Sequence, residues 1–468
     1  MAQTLIAKPN TFYPAFNKMP YIVDSTNKNK QAFNYIFDVY EAGTSNLLAR
    51  YQPKPRFGDG YGYADISKLL QSKLASEIEN ANATSYFTAL NSFYKFDVKV
   101  GESYIDSVPY TSSLTNSSGY VRVNVTHSYV AGDQIYITQD DGGIANPQVE
   151  GYQTITSVGV GFFVIGTLWS TVTDATVNGS IAYADNRRTV TTNILTYTNQ
   201  IAFNGVFNTA QEIAYDGNWF TLANNTRQLL TPMTEVTISK NSPLLLNIRT
   251  QSSGTGEVRF ENDNGDVFSF QLISTLEVTT VNVGTFNLPT LTVVSGTLPL
   301  IKPNTQYYDV YWYDGGQKSK KYRINLSQQC AIEEKSILFV DKYGSILSIP
   351  VTLKSTLRTN VTRETYTRDL TGTITGTKWI PNASEGATIQ VNSNLERSIE
   401  LNTQFLDKPM QELFFQMIES PHKVLFDAGS FFPVVLDVTN AEFKRTQNAK
   451  LFMYTLSARY SNNEAVNG

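Results

Sequence analysis

Alternation of apolar and polar residues at a period of two, broken by turn residues, is the feature that most constrains this fold. It is clearest in Tyr120–Val125, and it recurs in Gln134–Ile137, Gln153–Thr156, Phe162–Ile165 and Ser180–Tyr183. Side chains at i and i+2 share one face of a strand, so each segment predicts a half-buried strand. Gly-rich or Asp-rich turns separate the segments at intervals of about ten residues. This spacing predicts a small closed barrel.

The same residue types fill most of the chain. Thr, Ser, Asn and Val, with 27 Tyr and 26 Phe, favour strands and their turns. A length of 468 residues predicts several domains. The predicted fold class is mostly β, with β-sandwich or barrel domains in tandem, one inserted small barrel and two short amphipathic helices. The predicted domains are an extended N-terminal arm (1–30), a β-sandwich with one helix that continues after the insertion (31–109), the inserted small β-barrel (110–186), a β-sandwich region (187–329) and a C-terminal α+β module (330–468).

Two helices are predicted from capping residues and apolar spacing. Asp65 is a suitable N-cap for a helix through about Ile78, with apolar residues at 3.6-residue spacing. Asp407 and Pro409 begin the second helix, because proline is tolerated in a first turn, and Ser420 with the following proline ends it. The apolar face of the second helix is Met410, Leu413, Phe414, Met417 and Ile418.

Turn residues predict the hairpins of the second half of the chain. Asn264-Gly265 is a strong two-residue hairpin signal, because both turn residues adopt positive φ. Further hairpins are predicted across Asp314–Gly316 and Asp341–Gly344. Gly372–Gly386 is interpreted as a polar loop. Three strands are predicted after the second helix, at Val424–Phe426, Phe431–Val438 and Leu451–Tyr460.

The chain has few residues that carry catalysis or bind metals. His127, His422 and Cys330 lie far apart, and none has the spacing of a known catalytic or metal site. No catalytic, cofactor-binding or metal-binding residue is therefore predicted, and no cofactor. His422 is interpreted as a helix C-terminal residue that favours the helix dipole. Cys330 is interpreted as a small core residue.

Other local patterns also have structural interpretations. Asp140–Gly143 could bind calcium, but it lacks the later carboxylates of a calcium loop, so a hairpin turn is expected. Gly58–Gly62 and Gly159–Gly161 lack the residue order of phosphate-binding loops and are expected to be flexible loops. The basic cluster is interpreted as a solvated turn; its members are Lys318, Lys320, Lys321 and Arg323.

Charge sets limits on the partners. The net charge is −4 and the charged fraction is 17%, below the usual share of about 25%, so direct nucleic-acid binding is not expected. No segment predicts membrane insertion, and the N-terminus lacks the pattern of a signal peptide. Synthesis in the cytoplasm is therefore expected. High aromatic content with low charge suits large protein interfaces.

Aromatic residues in the N-terminal arm are candidate assembly residues. Phe12, Tyr13, Phe16 and Tyr21 lie among Pro and Asn without a clear strand period, so they are expected to dock on a neighbouring subunit or another protein. Leu413, Phe414, Met417 and Ile418 of the second helix are further assembly or packing candidates.

Four parts of the chain resemble structural proteins of the virions of phages and prophages that infect Bacteroidetes, including tail and tail-tip components. The first part combines Phe33–Tyr40 with the helix start Tyr63–Leu70. The second is the predicted barrel, the third is Ile337–Gly344, and the last is Leu401–Tyr460. Together they cover about half the chain.

The resemblance implies a distal-tail or baseplate-adaptor type of protein, located in the virion tail and made in the cytoplasm of the host bacterium. It implies a non-enzymatic role, with subunits that form a symmetric homo-oligomeric ring and anchor neighbouring tail or fibre proteins. Two alternatives stay open. One is a receptor- or glycan-binding tail protein that contacts a host surface glycan. The other is a polysaccharide-degrading tail enzyme.

Overall fold

The structure is a computed structural model, and it confirms a mostly β fold. It describes residues 3–30, 32–78, 86–88, 90–105, 108–111, 114–140, 146–173, 178–183, 189–220, 229–250, 254–274, 277–286, 301–369, 371–382, 386–437, 452–461 and 464–467. The chain divides into two compact units. The first contains Met1–Tyr13, Lys18–Leu69 and Lys95–Ala202, and the second contains Pro14–Asn17, Leu70–Tyr94 and Phe203–Gly468.

Elements are numbered in chain order. Up to residue 203 they are β1 (Gln3–Ala7), β2 (Phe12–Pro14), β3 (Pro20–Ser25), β4 (Asn34–Glu41), β5 (Leu47–Tyr51), β6 (Gly62–Asp65), α1 (Ser67–Gln71), β7 (Tyr86–Thr88), β8 (Phe93–Tyr104), β9 (Val108–Thr111), β10 (Leu114–Ser117), β11 (Tyr120–Asn124), β12 (Gln134–Gln139), β13 (Gly151–Gly159), β14 (Phe162–Leu168), a 3-10 turn (Trp169–Thr171), β15 (Asn178–Tyr183) and β16 (Thr189–Phe203).

The remaining elements follow residue 203. They are α2 (Thr209–Ala214), β17 (Glu235–Ile238), β18 (Leu245–Arg249), β19 (Gly254–Asn262), β20 (Val267–Ser274), β21 (Val278–Asn282), β22 (Tyr307–Asp314), β23 (Gln317–Lys318), β24 (Tyr322–Leu326), β25 (Lys335–Val340), β26 (Ile346–Pro350), β27 (Thr356–Thr367), β28 (Gly372–Thr375), β29 (Lys378–Pro381), β30 (Thr388–Asn402), α3 (Lys408–Glu419), β31 (Lys423–Asp427), β32 (Ser430–Leu436), β33 (Thr455–Tyr460) and β34 (Glu464–Asn467).

The N-terminal residues contribute three strands and do not form a free arm. β1, β3 and β6 form one antiparallel sheet, and β2 is the first strand of a second sheet in the order β2-β16-β8-β4-β5. The side chains of Phe12, Tyr13 and Tyr21 are 1%, 8% and 0% exposed. The prediction of an arm that docks on a neighbour is therefore wrong for these three residues, because the chain itself buries them.

The predicted inserted barrel is an open sheet. Its seven strands pair in the order β10-β11-β14-β13-β12-β15-β9, and no other described strand joins this sheet. β9 pairs with β15 and β10 pairs with β11, so these two strands form opposite edges and no described ladder closes the sheet. The sheet bends around a buried cluster that includes Val121, Ile137 and Phe163.

One ion pair in the first unit joins a buried carboxylate to a cross-strand arginine. Asp38 on β4 lies opposite Arg50 on β5. The guanidinium donates from Nε to Oδ1 at 2.6 Å and from Nη2 to Oδ2 at 2.8 Å, and the Asp38 side chain is fully buried. A bidentate pair of this kind satisfies a charge that burial alone would disfavour.

The second unit is built on two larger sheets. A mixed sheet has the order β17-β24-β22-β19-β20, and β23 pairs with β22. A longer sheet has the order β27-β30-β33-β32-β31-β25-β26-β18-β21-β7, and β34 also pairs with β30. Both sheets and α3 contribute side chains to one hydrophobic core. The predicted hairpins β19–β20, β22–β24 and β25–β26 are confirmed. The prediction of positive φ at both Asn264 and Gly265 is wrong for Asn264, because only Gly265 adopts it.

Helix α3 covers this core as its sequence predicts. The Asp407 carboxylate accepts the Met410 amide at 3.0 Å, and Pro409 lies in the first turn. Leu413, Phe414 and Met417 are fully buried. They act in internal packing, so they are not subunit contacts. Ile418 is half-buried and packs against the same core.

Two predictions about local structure are wrong. The first helix spans only Ser67–Gln71. The next amides, of Lys73 and Leu74, bond to the carbonyls three residues earlier, and the Ala75 amide bonds to the Asn91 carbonyl, so the helix does not continue. Gly372–Gly386 is not an irregular loop, because β28 and β29 pair across it.

Two further corrections concern a helix and a cysteine. The additional helix α2 has an Asn208 capping box that the sequence interpretation missed. Cys330 is exposed, so it is not a core residue.

Phe414→Ala should strongly destabilise the second unit. The ring is fully buried and stacks on Tyr454, with 4.2 Å between ring centroids. Removing a buried phenylalanine ring costs about 3–5 kcal/mol through lost transfer energy and the cavity left behind. Denaturant unfolding should show this loss, and Thr373→Ala on the exposed strand β28 should not change the midpoint. An unchanged midpoint for Phe414→Ala would mean that α3 does not pack on the core.

Arg50→Ala should destabilise the first unit by about 2–4 kcal/mol, because Asp38 would stay buried without its cation. Arg56 provides a matched control, since it pairs with Asp59 at an exposed turn. Exposed pairs contribute little, so Arg56→Ala should leave the urea midpoint unchanged. Equal midpoint shifts in the two variants would contradict a special role for the buried carboxylate.

Candidate functional site

The most prominent exposed feature of the second unit is a long two-stranded ribbon, defined here as β27 and β30 with the tip hairpin β28–β29. β27 pairs with β30 from Thr356 opposite Glu400 to Thr367 opposite Thr388. Every residue of β27 is exposed. At about 3.3 Å per residue, twelve residues extend for about 40 Å. The ribbon therefore extends well beyond the part of its sheet that the core buries.

The two edges of the ribbon differ. On one side, β33 pairs with Ser398–Asn402 and β34 pairs with Asn392–Leu395. On the other side, β27 is the terminal strand of its sheet, so its outer edge has no strand partner among the described residues. Such an edge is a template for pairing with another chain.

One face of the ribbon continues the apolar surface of the core. Leu357 lies opposite Ile399, and Val361 lies opposite Leu395. Ile399 is 3% exposed and belongs to the core, whereas Leu357 is 60% and Val361 39% exposed. The apolar stripe therefore runs out of the core into solvent. At the tip, further large side chains are exposed; they are Ile374, Trp379 and Ile380.

Charged residues on the ribbon are only partly paired. Arg358 binds Glu400 with 2.9 Å between Nη2 and Oε2. Arg363 and Glu364 are exposed and have no ion pair within the described parts of the chain. An open edge, an apolar stripe and available charges of both signs suit the ribbon to contact with another protein.

Sequence reasoning missed the ribbon, although a signal was present. Thr356–Thr367 is rich in Thr and contains Leu, Val and Tyr, which favour strands. No face of it is buried, so it lacks the consistent alternation that marked the other strands. The segment that follows was interpreted as a polar loop because it contains Thr and Gly.

Of the four aromatic assembly candidates in the predicted arm, only Phe16 is exposed, at 50%. It lines a cleft of about 470 Å³ in the second unit, together with parts of Leu74–Ser76, Asn204–Val206 and Val340–Lys342, and with residues at the end of α3. Its predicted role in assembly stays a prediction.

Several titratable and polar groups around this cleft have partners within the chain. Lys342 pairs with Glu419 at 3.1 Å between Nζ and Oε2. His422 is exposed at the end of α3, and the Ser420 hydroxyl donates to its backbone carbonyl at 3.1 Å. Within the described ranges, no three acidic, His or Cys side chains gather closely enough to hold a metal ion.

The other histidine has a structural role. His127 lies with Nε2 2.7 Å from the Phe162 carbonyl, and its Nδ1 accepts the Tyr129 amide at 3.0 Å. Both ring nitrogens therefore already have backbone partners in the first unit.

The remaining sequence candidates have structural explanations where they are described. Lys321 pairs with Glu261 of β19 at 2.7 Å, and Arg323 pairs with Asp309 of β22 at 2.9 Å. Two of the four residues of the basic cluster therefore form ion pairs with strands of the sheet. Asp141–Gly143 lies outside the described residues. In the described chain, none of the helices has the length and apolar character needed to cross a bilayer.

Comparison with known proteins gives no family. No protein-family profile and no curated protein matches the chain. Among solved structures, the chain is similar to an endosialidase of phage phi92, with 8% identity and a TM-score of 0.18, over 98% of this chain and 68% of that chain. It is also similar to a tetra-tandem repeat in the extending region of a large adhesion protein, with 10% identity and a TM-score of 0.15, over 86% of this chain and 94% of that chain.

A third structure, Salmonella alpha-2-macroglobulin reacted with methylamine, has 8% identity and a TM-score of 0.12, over 85% of this chain and 38% of that chain. TM-scores this low do not carry an argument about fold or function.

Asp341 should make the stability of the second unit depend on pH. Burial raises the pKa of its carboxyl from 3.8 to about 7, although Oδ1 accepts the Tyr343 and Ser345 amides at 2.8 and 2.9 Å. The folded unit therefore keeps a proton that the unfolded chain releases. The free energy of unfolding should fall between about pH 4 and pH 7, with a slope approaching about 1.4 kcal/mol per pH unit, and then level off.

Asp341→Asn keeps an oxygen that accepts both amides, but it removes the titration. Urea unfolding at several pH values should show that this fall is absent in the variant, which should be more stable than the wild type at pH 8. Asp314→Asn, at the β22–β23 turn, should keep the wild-type pH dependence. The same fall in Asp341→Asn as in the wild type would assign the dependence to another group.

Proposed function

We propose that this chain is a structural protein of a phage virion tail, and that its copies assemble through the ribbon. The observation that carries the proposal is the fully exposed strand β27, with an open edge and an apolar stripe that leaves the core. The outer edge of β27 and its apolar stripe lack contacts in the single chain, and a partner that covers them would supply backbone hydrogen bonds and apolar neighbours.

The resemblance to tail and tail-tip proteins supports the location. In that position, copies would form a symmetric ring near the tail tip or tail-to-fibre junction and anchor neighbouring tail or fibre proteins. The low charged fraction of 17% suits surfaces that are buried in such an assembly. The proposed role is assembly in the virion after synthesis in the host bacterium, without catalysis.

A second candidate function is binding of a host surface glycan. Tyr136 and Tyr152 lie opposite each other on β12 and β13, with ring centroids 5.0 Å apart, and Tyr152 is 75% exposed. Exposed aromatic rings with a polar hydroxyl offer both a stacking surface and a hydrogen-bonding group to a sugar. This surface lies on the seven-stranded sheet of the first unit, so it is separable from the ribbon by mutation.

The double variant Leu357→Ser, Val361→Ser should abolish the ribbon contact and leave the subunit folded. Both side chains are exposed, so their removal costs the monomer little, whereas a covered stripe would lose its apolar contacts. Light scattering during size-exclusion chromatography, over a range of concentrations, should show an oligomer for the wild type and a smaller species for the variant.

Val160→Ser is the matched control, because this residue is an exposed valine at the β13–β14 turn. It should assemble like the wild type. A wild type that is monomeric at every concentration, or a double variant that assembles normally, would contradict the proposal. Glycan binding that Tyr152→Ala removes and the ribbon variant keeps would instead favour the second candidate.

A further inference from the structure

We propose that the partner of the ribbon is a second copy of this chain, paired antiparallel along the outer edge of β27 about a two-fold axis at Val361. This inference rests on the proposed function, in that the ribbon must be an assembly site. It adds the identity of the partner, the symmetry of the contact and its register.

The open edge sets the symmetry. An edge strand that pairs antiparallel with its own copy places the same residues on both sides of a two-fold axis, and the contact is then closed and self-complementary. Parallel stacking of identical strands would instead leave a new open edge for further copies. The antiparallel arrangement therefore covers the outer edge of β27 in both copies and ends the sheet.

Charge selects the register. With the axis at Val361, Arg358 lies opposite Glu364 of the second copy, and the same pair occurs twice. A shift by one residue in one direction places Arg358 opposite Arg363, and a shift in the other direction places it opposite Thr365. Either shift turns the apolar stripes to opposite faces. With the axis at Asn360 or Thr362, neither charge meets an opposite charge.

The side chains are available for this contact. Glu364 has no ion pair in the described parts of the chain, and Arg358 binds Glu400 through Nη2. A guanidinium has five N–H donors, so Arg358 can hold a second carboxylate. These pairs are exposed, so they fix register and exclude wrong registers more than they add affinity.

The same register brings the apolar stripes together. Val361 lies opposite Val361 of the second copy, with Leu357 on the same face in each copy. The stripe from one core, which begins at Ile399, would then continue across the axis to the other core. Leu357 and Val361 are 60% and 39% exposed in the single chain, although Ile399 and Leu395 lie opposite them. The contact gives both side chains further apolar neighbours.

Cysteine cross-linking tests the register directly. Native Cys330 is exposed, so it is first replaced in Cys330→Ser. In that background, Val361→Cys should form a disulfide-linked dimer under mild oxidation, because directly opposite Cα atoms in an antiparallel pair lie about 4.5–5.5 Å apart. Thr362→Cys is the matched control. It lies opposite Asn360 of the second copy and on the other face, so it should stay monomeric on a non-reducing gel.

Charge exchange tests the pairing. Glu364→Arg alone should lose the two-fold contact, because Arg358 would face an arginine. Arg358→Glu alone should lose it for the opposite reason. An equal mixture of the two variants should recover the contact as a heterodimer, because each acidic position then faces an arginine. Native mass spectrometry separates the species, and melting scans of each variant check that it is folded.

The outcomes separate this inference from the proposed function. Linkage at Val361→Cys but not at Thr362→Cys, with recovery in the mixture, supports the two-fold pairing. If Val361→Cys stays unlinked, or the mixture does not recover, while the wild type still assembles through the ribbon, the two-fold pairing is overturned and the proposed function stands. A wild type that is monomeric throughout overturns both.

Discussion

Two-sided burial of β25 and β26 is the constraint on which the second unit depends. Their residues point alternately to two apolar layers. Ile337, Phe339 and Ile349 face the core that α3 covers, while Leu338 and Ile346 belong to a separate buried cluster. From this pair the sheet extends through β31, β32, β33 and β30 to β27, and the last strand is exposed along its whole length. The backbone hydrogen bonding of the sheet thus continues beyond its buried strands to an exposed strand, and these outer strands form the ribbon.

Much of the fold could be predicted from local chemistry. Gly265 predicts its hairpin because it takes the positive φ that the turn needs there, and Asp407 predicts the start of α3 because its carboxylate accepts an orphan amide. Helix α2 has a signal of the same kind, since Asn208 and Gln211 form a capping box, yet a six-residue helix has too little apolar periodicity to be recognised. The N-terminal strands are not predicted from the sequence, because they pair with strands at long sequence separation and such pairing has no local signature.

The candidate site was less predictable for a physical reason. Prediction of strands from sequence depends on contrast between a buried and an exposed face, and β27 has no buried face in the single chain. Its strand character comes from Thr, Val, Leu and Tyr, whose preference for strands depends strongly on context. The prediction of assembly residues was wrong for the opposite reason wherever it selected residues that are buried. Phe12, Tyr21 and Phe414 are buried within the chain itself, so hydrophobicity alone does not separate core residues from interface residues.

The exposure of the ribbon links its order to assembly. A partner that pairs with β27 would add backbone hydrogen bonds and cover Leu357 and Val361 in the same event, so these contacts would offset the conformational entropy lost on fixing the exposed strand. A two-fold contact is self-limiting, so it would join copies in pairs, and a ring would need a second surface.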